Sequence, residues 1–284
     1  MTESSSSLSS GVSFIHISDS HLGPDNSYIQ FRHGAWACAR DVVRSINELP
    51  TKVDFVIHSG DVAGRPSPDT YRLAEETFSA IQAPVYYTVG NHDSARDMRD
   101  ILNFGPCTFL SESPELLTYR FEIGAERFLV IDAKAPDASG LMGEEQLAIV
   151  QNEIAELVAK PASSLSIFVH YQPIPLGHRV TDENIMLKNG ELLHNGLAQV
   201  REQIRGVFHG HLHMPQAEYR DGILYSCVSS IFSNFVIWPG GERLERTQET
   251  PGYAYVRLGD AGTVVRHFTI PRSVDGEYKD YGGE

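Results

Sequence analysis

Five short clusters of polar residues each follow an apolar run of strand length along this chain. They are Asp19-Ser20-His21, Gly60-Asp61, Gly90-Asn91-His92-Asp93, His170 and Gly210-His211-Leu212-His213. Their side chains offer nitrogen and oxygen donors and no thiolate. Such donors suit Mn, Fe, Zn, Co or Ni, and the sequence does not choose among these metals. Because all five clusters share this placement, they predict a single site that holds two divalent metal ions.

The spacing within the clusters indicates how the ligands reach the ions. Asp19 and His21 are two residues apart, so in an extended segment both side chains leave the same face. His211 and His213 repeat this spacing. Asp61 follows a glycine, which lets the backbone turn sharply and leaves the carboxylate able to bridge two ions. The complete predicted set of metal ligands is Asp19, His21, Asp61, Asn91, His170, His211 and His213.

The chemistry that such a site predicts is hydrolysis of a phosphoester. Two divalent ions about 3.5 to 4 Å apart hold phosphate oxygens and lower the pKa of a shared water from about 15.7 toward 7. The resulting metal-bound hydroxide attacks phosphorus, with Asp61 as the bridging catalytic carboxylate. His92 follows Asn91, and we expect both to face the substrate, where the imidazole protonates the leaving oxygen or stabilises phosphate charge. Asp93 is expected to orient that ring, and the alternative for His92 is that it only supports Asn91.

The elements that position the first three clusters alternate between strand and helix. Apolar runs and helical stripes predict strands over 12–18, 53–59 and 84–89 and helices over 35–49 and 71–81. This alternation is typical of a parallel sheet with right-handed crossovers. Ligands of such sheets bind outside the carboxyl ends of the strands, which is where the clusters fall.

The second half supplies the remaining ligands. We predict a hairpin over 117–123 and 127–132, a helix over 147–157, strands over 165–169 and 204–208, and a helix over 193–200. Residues 222–284 predict antiparallel strands over 222–228, 231–237, 253–258 and 263–270. The fold class is therefore α/β, with a two-sheet β-sandwich core flanked by helices. We expect one domain over 12–284. Residues 172–189 are either a loop on the substrate side or a plain surface loop, and residues 232–235 are either another wall of the site or part of a buried strand.

Composition excludes several classes of function. A formal net charge of −14 over 284 residues opposes binding to a nucleic-acid backbone. The three cysteines, Cys38, Cys107 and Cys227, are too widely spaced for a disulfide framework, which fits the cytoplasm. No apolar run approaches the roughly 20 residues of a membrane helix, and the Ser-rich residues 1–11 resemble a disordered tail rather than a signal peptide. We expect a cytoplasmic protein with a small-molecule phosphoester substrate and no nucleic-acid or membrane partner; a homodimer is left open.

Taken together, the five clusters resemble the signature of the calcineurin-like metallophosphoesterase superfamily, over residues 14–214. Pro68, Tyr71, Pro84 and the closing Pro251-Gly252-Tyr253 are similar to the class III cyclic-nucleotide phosphodiesterases and their glycerophosphodiesterase relatives. The resemblance implies the αββα architecture of that superfamily and a metal pair bridged by Asp61. It implies that Asp19, His21, Asp61 and His213 hold one metal, and that Asp61, Asn91, His170 and His211 hold the other.

The sequence departs from that subgroup at two positions near the substrate side. Gly64 stands where an acidic residue often follows the Gly-Asp pair, and Tyr171 stands where a second histidine commonly follows the ligand. Tyr171 either donates a hydrogen bond to the substrate or is a packed aromatic. His209 shares the alternation of the last cluster, so it is either a hydrogen-bond partner that orients a metal ligand or a packing residue.

The other histidines have simpler interpretations. His16 and His58 lie within apolar runs and are predicted to be core residues, whereas His33, His178, His194 and His267 lie among polar residues and are predicted to be exposed.

The leading hypothesis is a binuclear-metal phosphodiesterase that converts a 3',5'-cyclic nucleotide to the nucleoside 5'-monophosphate. The first alternative is a broad phosphodiesterase or phosphomonoesterase that acts on glycerophosphodiesters or nucleotides. The second alternative, from another class, is a noncatalytic scaffold with the same fold. The complete ligand set argues against the scaffold, because a scaffold has no need to retain every ligand.

Overall fold

A computed structural model of the protein describes residues 11–31, 33–247 and 251–271, together with the backbone of residues 279–280. The helices are α1 (Ala35–Asn47), α2 (Pro68–Phe78), α3 (Ala95–Ile101), α4 (Glu144–Ala159), α5 (Arg179–Asn184) and α6 (Gly190–Ala198). The first eight strands are β1 (Val12–Ile17), β2 (Tyr28–Gln30), β3 (His33–Gly34), β4 (Phe55–His58), β5 (Val85–Tyr87), β6 (Thr108–Phe109), β7 (Tyr119–Ile123) and β8 (Glu126–Ile131). The others are β9 (Ser164–Val169), β10 (Ile204–His209), β11 (Gln216–Arg220), β12 (Ile223–Cys227), β13 (Phe235–Val236), β14 (Glu245–Arg246), β15 (Gly252–Gly259), β16 (Gly262–Thr269) and β17 (Lys279–Asp280).

Two large mixed sheets form the centre of the fold. The first has the strand order β16-β15-β1-β4-β5, and the second has the order β11-β12-β10-β9-β8-β7-β6. In the first sheet β1, β4 and β5 are parallel, and in the second β8, β9, β10 and β12 are parallel. The other strands join through antiparallel pairs: β15 pairs with β1 and β16, β7 pairs with β8 and β6, and β11 pairs with β12. The parallel strands of each sheet therefore end at a common edge, which is where the polar clusters of the sequence lie.

The core between the sheets consists largely of phenylalanine rings. Phe14 of β1 packs against Phe55 of β4, with ring centroids 4.8 Å apart, and contacts Phe168 and Phe208 of the other sheet at 5.5 and 5.3 Å. All four side chains are fully buried. Alternation along β9 places Phe168 in this core and its two neighbours on the opposite face, in a second apolar cluster with residues of α4 and α6. The predicted two-sheet α/β core with flanking helices is confirmed.

Local sequence explains why α2 begins where it does. Ser67 precedes the helix in an extended conformation, and its hydroxyl accepts a hydrogen bond from the backbone N–H of Thr70. Pro68 occupies the first helical position, where a missing N–H costs nothing. Tyr71, Ala74 and Phe78 then form the buried face of the helix, packed in the same core as β1 and β4.

The prediction of antiparallel strands from residue 222 onward is correct for β15 and β16, which form a hairpin. It is wrong for β12, which runs parallel to β10 and antiparallel to β11, a strand that the sequence did not indicate. The predicted strand over 231–237 is reduced to β13 because a turn precedes it. The hydroxyl of Ser230 accepts hydrogen bonds from the backbone N–H groups of Phe232 and Ser233 and so breaks the extended run.

Two predicted segments differ in how much of them is described. Residues 172–189 contain the helix α5, so the predicted loop is partly helical. The predicted tail over 1–11 lies outside the described residues except for Gly11, and the end of the predicted domain beyond residue 271 is described only at β17. Within the part of the chain that is described, no helix combines the length and apolar composition that a membrane crossing requires.

Candidate metal centre

The candidate centre lies where parallel strands of both sheets end. Asp19 comes shortly after β1, Asp61 after β4, His170 directly after β9 and His211 shortly after β10. The two sheets are joined at this edge, because the backbone N–H of His211 donates to Oδ2 of Asp19 at 3.0 Å. The packing of the two sheets therefore brings together clusters that lie far apart in the sequence.

Five of the predicted ligands have a left-handed backbone conformation. The φ angles are 57° at Asp19, 45° at His21, 52° at Asp61, 67° at His211 and 49° at His213. Residues other than glycine rarely adopt this conformation, which costs roughly 1–3 kcal/mol and concentrates at functional sites. The predicted extended geometry of the two paired clusters is therefore wrong. The chain turns at each ligand, so the paired side chains meet through these turns and not through strand alternation.

Two glycines allow the backbone to approach the carboxylates closely. A Cβ atom at Gly90 would lie 2.1 Å from Oδ1 of Asp61, and one at Gly210 would lie 1.9 Å from Oγ of Ser18 and 2.7 Å from Oδ2 of Asp19. Any larger residue would push the ligand loops apart. The glycines beside Asn91 and His211 are thus required by the closeness of the ligands.

The first group of side chains that could hold a metal ion consists of Asp19, His21, Asp61 and His213. All four are buried, and their ligating atoms lie within 4.8 Å of one another. Nε2 of His21 is 3.1 Å from Nε2 of His213, which is itself 3.2 Å from Oδ1 of Asp19. Oδ2 of Asp61 lies 3.7 Å from Nε2 of His21. This spacing is that of atoms that share one cation.

The second group consists of Asp61, His170 and His211, again with ligating atoms within 4.8 Å of one another. Nε2 of His170 is 3.4 Å from Oδ2 of Asp61 and 3.1 Å from Nδ1 of His211. Asn91 follows Gly90 at the same carboxylate, and its Oδ1 is inaccessible to solvent and, among the described residues, accepts no hydrogen bond. Asp61 belongs to both groups, so the structure brings six of the predicted ligands together, and the neighbours of Asn91 on both sides contact the carboxylate of Asp61.

Backbone carbonyls set the tautomers of two histidines. Nδ1 of His170 lies 2.7 Å from the carbonyl of Ser59, and Nδ1 of His213 lies against the carbonyl of Ser233. A carbonyl only accepts, so each Nδ1 carries a proton, and each Nε2 faces the carboxylates and can bind a metal once its own proton is released. Carboxylate oxygens and imidazole nitrogens that converge in a buried space suit a cation. The donor set, all nitrogen and oxygen, fits divalent metal ions.

The electrostatics of the centre keep two histidines neutral. Burial lowers the pKa of His21 to about 3 despite the carboxylate of Asp61. Burial and the neighbouring His170 lower the pKa of His211 to about 3. Burial also opposes the charged form of His170, but the carboxylates of Asp61 and Asp19 raise its pKa to about 9. Neutral imidazole is the form that binds a metal, and binding at His170 releases its proton.

His92 and Asp93 have different surroundings. The ring of the half-buried His92 lies 5.0 Å from the ring of His21, and its backbone N–H donates to Oδ1 of Asp61 at 2.9 Å. Asp93 was expected to orient that ring. Its buried carboxylate instead accepts hydrogen bonds from the backbone N–H groups of Val62, Ala63 and Gly90 and from the hydroxyl of Tyr71. Asp93 therefore ties the loop after β4 to the loop that carries Asn91 and His92.

Tyr171 and His209 are both fully buried. The ring of Tyr171 lies 5.1 Å from the ring of His211 and packs against Gly140, and its hydroxyl has no hydrogen-bond partner among the described residues. Nδ1 of His209 lies 3.3 Å from the carbonyl of Gly210, and burial lowers the pKa of His209 to about 4. Tyr171 thus packs behind a predicted ligand, and His209 is a neutral residue at the end of β10.

The remaining histidines divide into two sets. His16 and His58 are buried as predicted and bond through Nε2 to the hydroxyls of Ser59 and Ser20 at 2.7 and 2.9 Å. His267 is exposed as predicted, and His33 is half-buried.

The prediction is wrong for two of the histidines that were expected to be exposed. His178 is buried because its Nδ1 accepts from the backbone N–H of Thr181 at the start of α5. His194 is buried because Tyr225 and Asp221 contact its two ring nitrogens.

The sequence did not single out several residues beside the centre. Ser230 donates from its hydroxyl to the carbonyl of Asp19 at 2.7 Å, and its neighbour Ser233 orients His213. A wall on the side of His21 consists of Phe232, Phe31 and Arg246. The sequence indicated Phe232, within the predicted wall over 232–235, but neither Phe31 nor Arg246. The serines could have been predicted, because the Ser-rich run 229–233 follows β12, and the carboxyl end of β12 lies at the same edge as the ligands.

Comparison with known proteins places these observations in a family. The profile of the calcineurin-like phosphoesterases matches residues 12–215. The chain is 28% identical over 218 residues to the glycerophosphodiester phosphodiesterase GpdQ of Enterobacter lignolyticus, covering 76% of each chain. It is 26% identical over 253 residues to the 3',5'-cyclic adenosine monophosphate phosphodiesterase CpdA of Pseudomonas aeruginosa, covering 88% of this chain and 87% of that one.

Solved structures agree with this placement at the level of the fold. A dimetal phosphatase from Danio rerio superposes with a TM-score of 0.64 at 15% identity, covering 92% of this chain and 99% of the other. A purple acid phosphatase from yellow lupin superposes with a TM-score of 0.67 at 16% identity, covering 96% of this chain and 53% of the other. With the family profile over most of its length and relatives named as phosphodiesterases, this chain belongs to the calcineurin-like phosphoesterase family and is a metal-dependent phosphoric ester hydrolase.

Proposed function

We propose that the chain hydrolyses phosphodiesters at a pair of divalent metal ions and that 3',5'-cyclic nucleotides are its preferred substrates. The observation that carries the two-metal proposal is the position of Asp61, whose carboxylate belongs to both ligand groups. The phosphodiester assignment is supported by the relatives, which are named as phosphodiesterases. The cyclic-nucleotide preference is supported by the similarity to CpdA, which spans most of both chains.

The ligand assignment follows the two groups of side chains. Asp19, His21, Asp61 and His213 hold one ion, and Asp61, Asn91, His170 and His211 hold the other. When bound, such ions hold phosphate oxygens and lower the pKa of water so that hydroxide forms near neutral pH. Asp19 and Asp61 lie among histidines, so their carboxylates stay ionised, and the pKa of each is held below its usual value by His213 and His170 against the opposing effect of burial.

His92 is the residue that we assign to the leaving group. Its backbone is held to Asp61, and its half-buried ring lies beside His21, at the solvent side of the ligands. From this position the imidazole donates a proton to the departing oxygen or a hydrogen bond to the phosphate. Asn91 contributes its amide to the same face, whereas contact between Tyr171 and substrate requires movement, because its side chain has no solvent exposure.

A broader activity on glycerophosphodiesters or phosphomonoesters is the second candidate. It is favoured by the similarity to GpdQ, which is named as a glycerophosphodiester phosphodiesterase. We further propose a cytoplasmic location, because Cys38, Cys107 and Cys227, all within the described residues, form no disulfide. A homodimer remains a prediction from the sequence.

The test is a side-by-side measurement of kcat/KM on 3',5'-cAMP, bis(p-nitrophenyl) phosphate and p-nitrophenyl phosphate after loading with Mn²⁺. We expect both diesters to be cleaved faster than the monoester and the cyclic nucleotide to be preferred. Treatment with EDTA should abolish activity, and Mn²⁺ should restore it. Fast cleavage of the generic diester with turnover of neither cAMP nor 3',5'-cGMP would reject the cyclic-nucleotide preference, and full activity in EDTA would reject the metal mechanism.

A further inference from the structure

An aromatic wall borders the candidate centre on the side of His21 and His213. The ring of Phe232 lies 5.9 Å from the ring of His21, and the ring of Phe235 lies 4.9 Å from the ring of His213. Phe31 extends the wall outward, with its ring 6.1 Å from that of Phe232. Phe232 is fully buried, whereas Phe31 and Phe235 are half-buried. The wall therefore has a buried base against the ligands and an accessible outer part.

Arg246 lies in the outer part of this wall. Its guanidinium carbon is 3.1 Å from the centroid of Phe31 and 5.8 Å from the centroid of Phe235. The β13–β14 ladder places Arg246 directly opposite Phe235. Across the described residues, no carboxylate forms a salt bridge with Arg246, although other arginines such as Arg127 and Arg205 have one. Two aromatic rings thus contact this guanidinium, and no acidic side chain of the described residues occupies its donors.

The backbone also indicates that the position of Phe31 is specified. Its φ angle is 51°, which is a true outlier for a bulky residue. Such conformations persist only where surrounding contacts hold them, and they cluster at ligand clamps. Here the ring lies between Phe232 and Arg246. The strained residue therefore supports the face on which the guanidinium rests.

The guanidinium beside these rings carries N–H donors that form a planar fork. That fork matches a group with two adjacent acceptors, and O6 and N7 of guanine form such a pair. Adenine has an amino donor at N6 beside N7, so an N–H of the guanidinium would face an N–H of the base. The edge therefore distinguishes the two purines, and the neighbouring rings suit a planar base.

We infer that Arg246 is a specificity-determining residue that binds the O6/N7 edge of guanine and makes 3',5'-cGMP the preferred cyclic nucleotide. The inference rests on the proposed function, since the phosphate must lie at the centre beside His21 and His213 for its nucleoside arm to reach this wall. Arg246 contacts the base, and the reacting phosphate is bound at the metal centre.

The experiment measures kcat/KM for cGMP and cAMP in the wild type, Arg246→Gln and Arg246→Lys after loading with Mn²⁺. The wild type should prefer cGMP by roughly tenfold, as a bidentate arginine contact to guanine implies. Arg246→Gln should reverse the preference, because glutamine pairs with N6 and N7 of adenine. Arg246→Lys should retain the charge and lose most of the preference, because lysine has no planar fork.

Arg243→Gln is the matched control, since it removes the same charge from the same segment. Its side chain is 82% exposed and contacts Glu245, so the cGMP to cAMP ratio should not change. Bis(p-nitrophenyl) phosphate is assayed in every preparation, and equal turnover across the variants shows that the centre is intact.

The outcomes separate this inference from the proposed function. If bis(p-nitrophenyl) phosphate is cleaved and the cGMP to cAMP ratio is the same in the wild type and Arg246→Gln, the specificity role of Arg246 is overturned and the phosphodiesterase remains. Cleavage of that diester without turnover of either nucleotide overturns the role of Arg246 and also rejects the cyclic-nucleotide preference, while the two-metal phosphodiesterase remains. If Mn²⁺ supports no cleavage of any diester, the proposed function fails, and the inference fails with it.

Discussion

Two clusters of buried charge, one between the second sheet and α4 and one at the strand ends, are balanced in different ways. On the side of α4, Arg127 is 6% exposed and Glu153 is 3% exposed. Nη1 of Arg127 donates to Glu153 at 2.9 Å, and Nη1 of Arg120 donates to the other oxygen of Glu153 at 2.9 Å. Glu156 accepts from both arginines as well. Every buried charge in this network has a partner of opposite sign on the same chain.

The candidate metal centre is balanced differently. Asp19 and Asp61 face histidines, whose positive charge depends on a proton that metal binding releases, and Oδ1 of Asn91 accepts no hydrogen bond from any described residue. Buried charge without partners is costly, so it persists where a bound ion supplies the missing charge. The comparison shows how a structural cluster differs from a binding cluster: the first is complete within the chain, and the second is complete only with an ion.

Substitution of Asp61 is expected to have the largest effect on activity. Asp61→Asn should lower kcat/KM on bis(p-nitrophenyl) phosphate by at least about a thousandfold, or about 4 kcal/mol, because the carboxylate shared by both ligand groups is lost. In EDTA the variant should lose less stability than Glu153→Gln, because the histidines around Asp61 can release their protons when the carboxylate is gone, whereas Arg127 cannot. Activity assays and urea unfolding in EDTA measure the two effects.

The control for Asp61→Asn is Asp69→Asn, a change of the same kind in a side chain that is 71% exposed. It should leave activity unchanged. Wild-type activity in Asp61→Asn would contradict the two-metal proposal, and marked destabilisation in EDTA would show that Asp61 serves the fold as Glu153 does.

Substitutions in the cluster beside α4 should reduce stability and leave activity unchanged. Glu153→Gln leaves Arg127 buried without its closest carboxylate and should lower the free energy of unfolding by about 3 kcal/mol. Activity per folded molecule should not change. Urea unfolding at neutral pH measures the loss. Glu156→Gln, at a side chain that is 40% exposed in the same network, should cost less than about 1 kcal/mol, and an equal cost at both positions would refute the role of burial.

Glu218 is a partly buried carboxylate that lies between these two cases. Burial, with a smaller contribution from Asp182, raises its pKa to about 7 from 4.5. Because the folded pKa is the higher one, stability falls as pH rises from about 4.5 to 7, where the unfolded chain has lost a proton that the folded chain keeps. Glu218→Gln should therefore gain about 1 kcal/mol at pH 8 after allowance for solvent screening, and little at pH 4.5.

Thermal or urea unfolding at both pH values tests the Glu218 prediction. Glu202→Gln, at a side chain that is 91% exposed, is the control and should show no such difference. A gain that is equal at pH 4.5 and pH 8 would mean that the charge of Glu218 is not the cause.

Local sequence predicted most of the elements because hydrophobic periodicity records which face of a strand or helix is buried. It was less successful where distant contacts decide the outcome. His194 lies in a polar stretch and is nevertheless buried, because Asp221 and Tyr225 from later in the chain reach its ring. The strand predicted over 231–237 was shortened because the Ser230 hydroxyl captures two backbone N–H groups. Neither contact leaves a periodic signal.

The donor set and its location at the ends of strands could be predicted from the sequence alone, because residue types and strand–helix alternation are local properties. The grouping of the donors depends on the tertiary structure. His211 meets Asp19 across 192 positions because two sheets pack face to face. The same packing set the left-handed turns at the ligands, the carbonyls of Ser59 and Ser233 that direct their lone pairs, and the rings that hold Arg246. These features depend on the approach of distant segments, which periodicity and spacing do not encode.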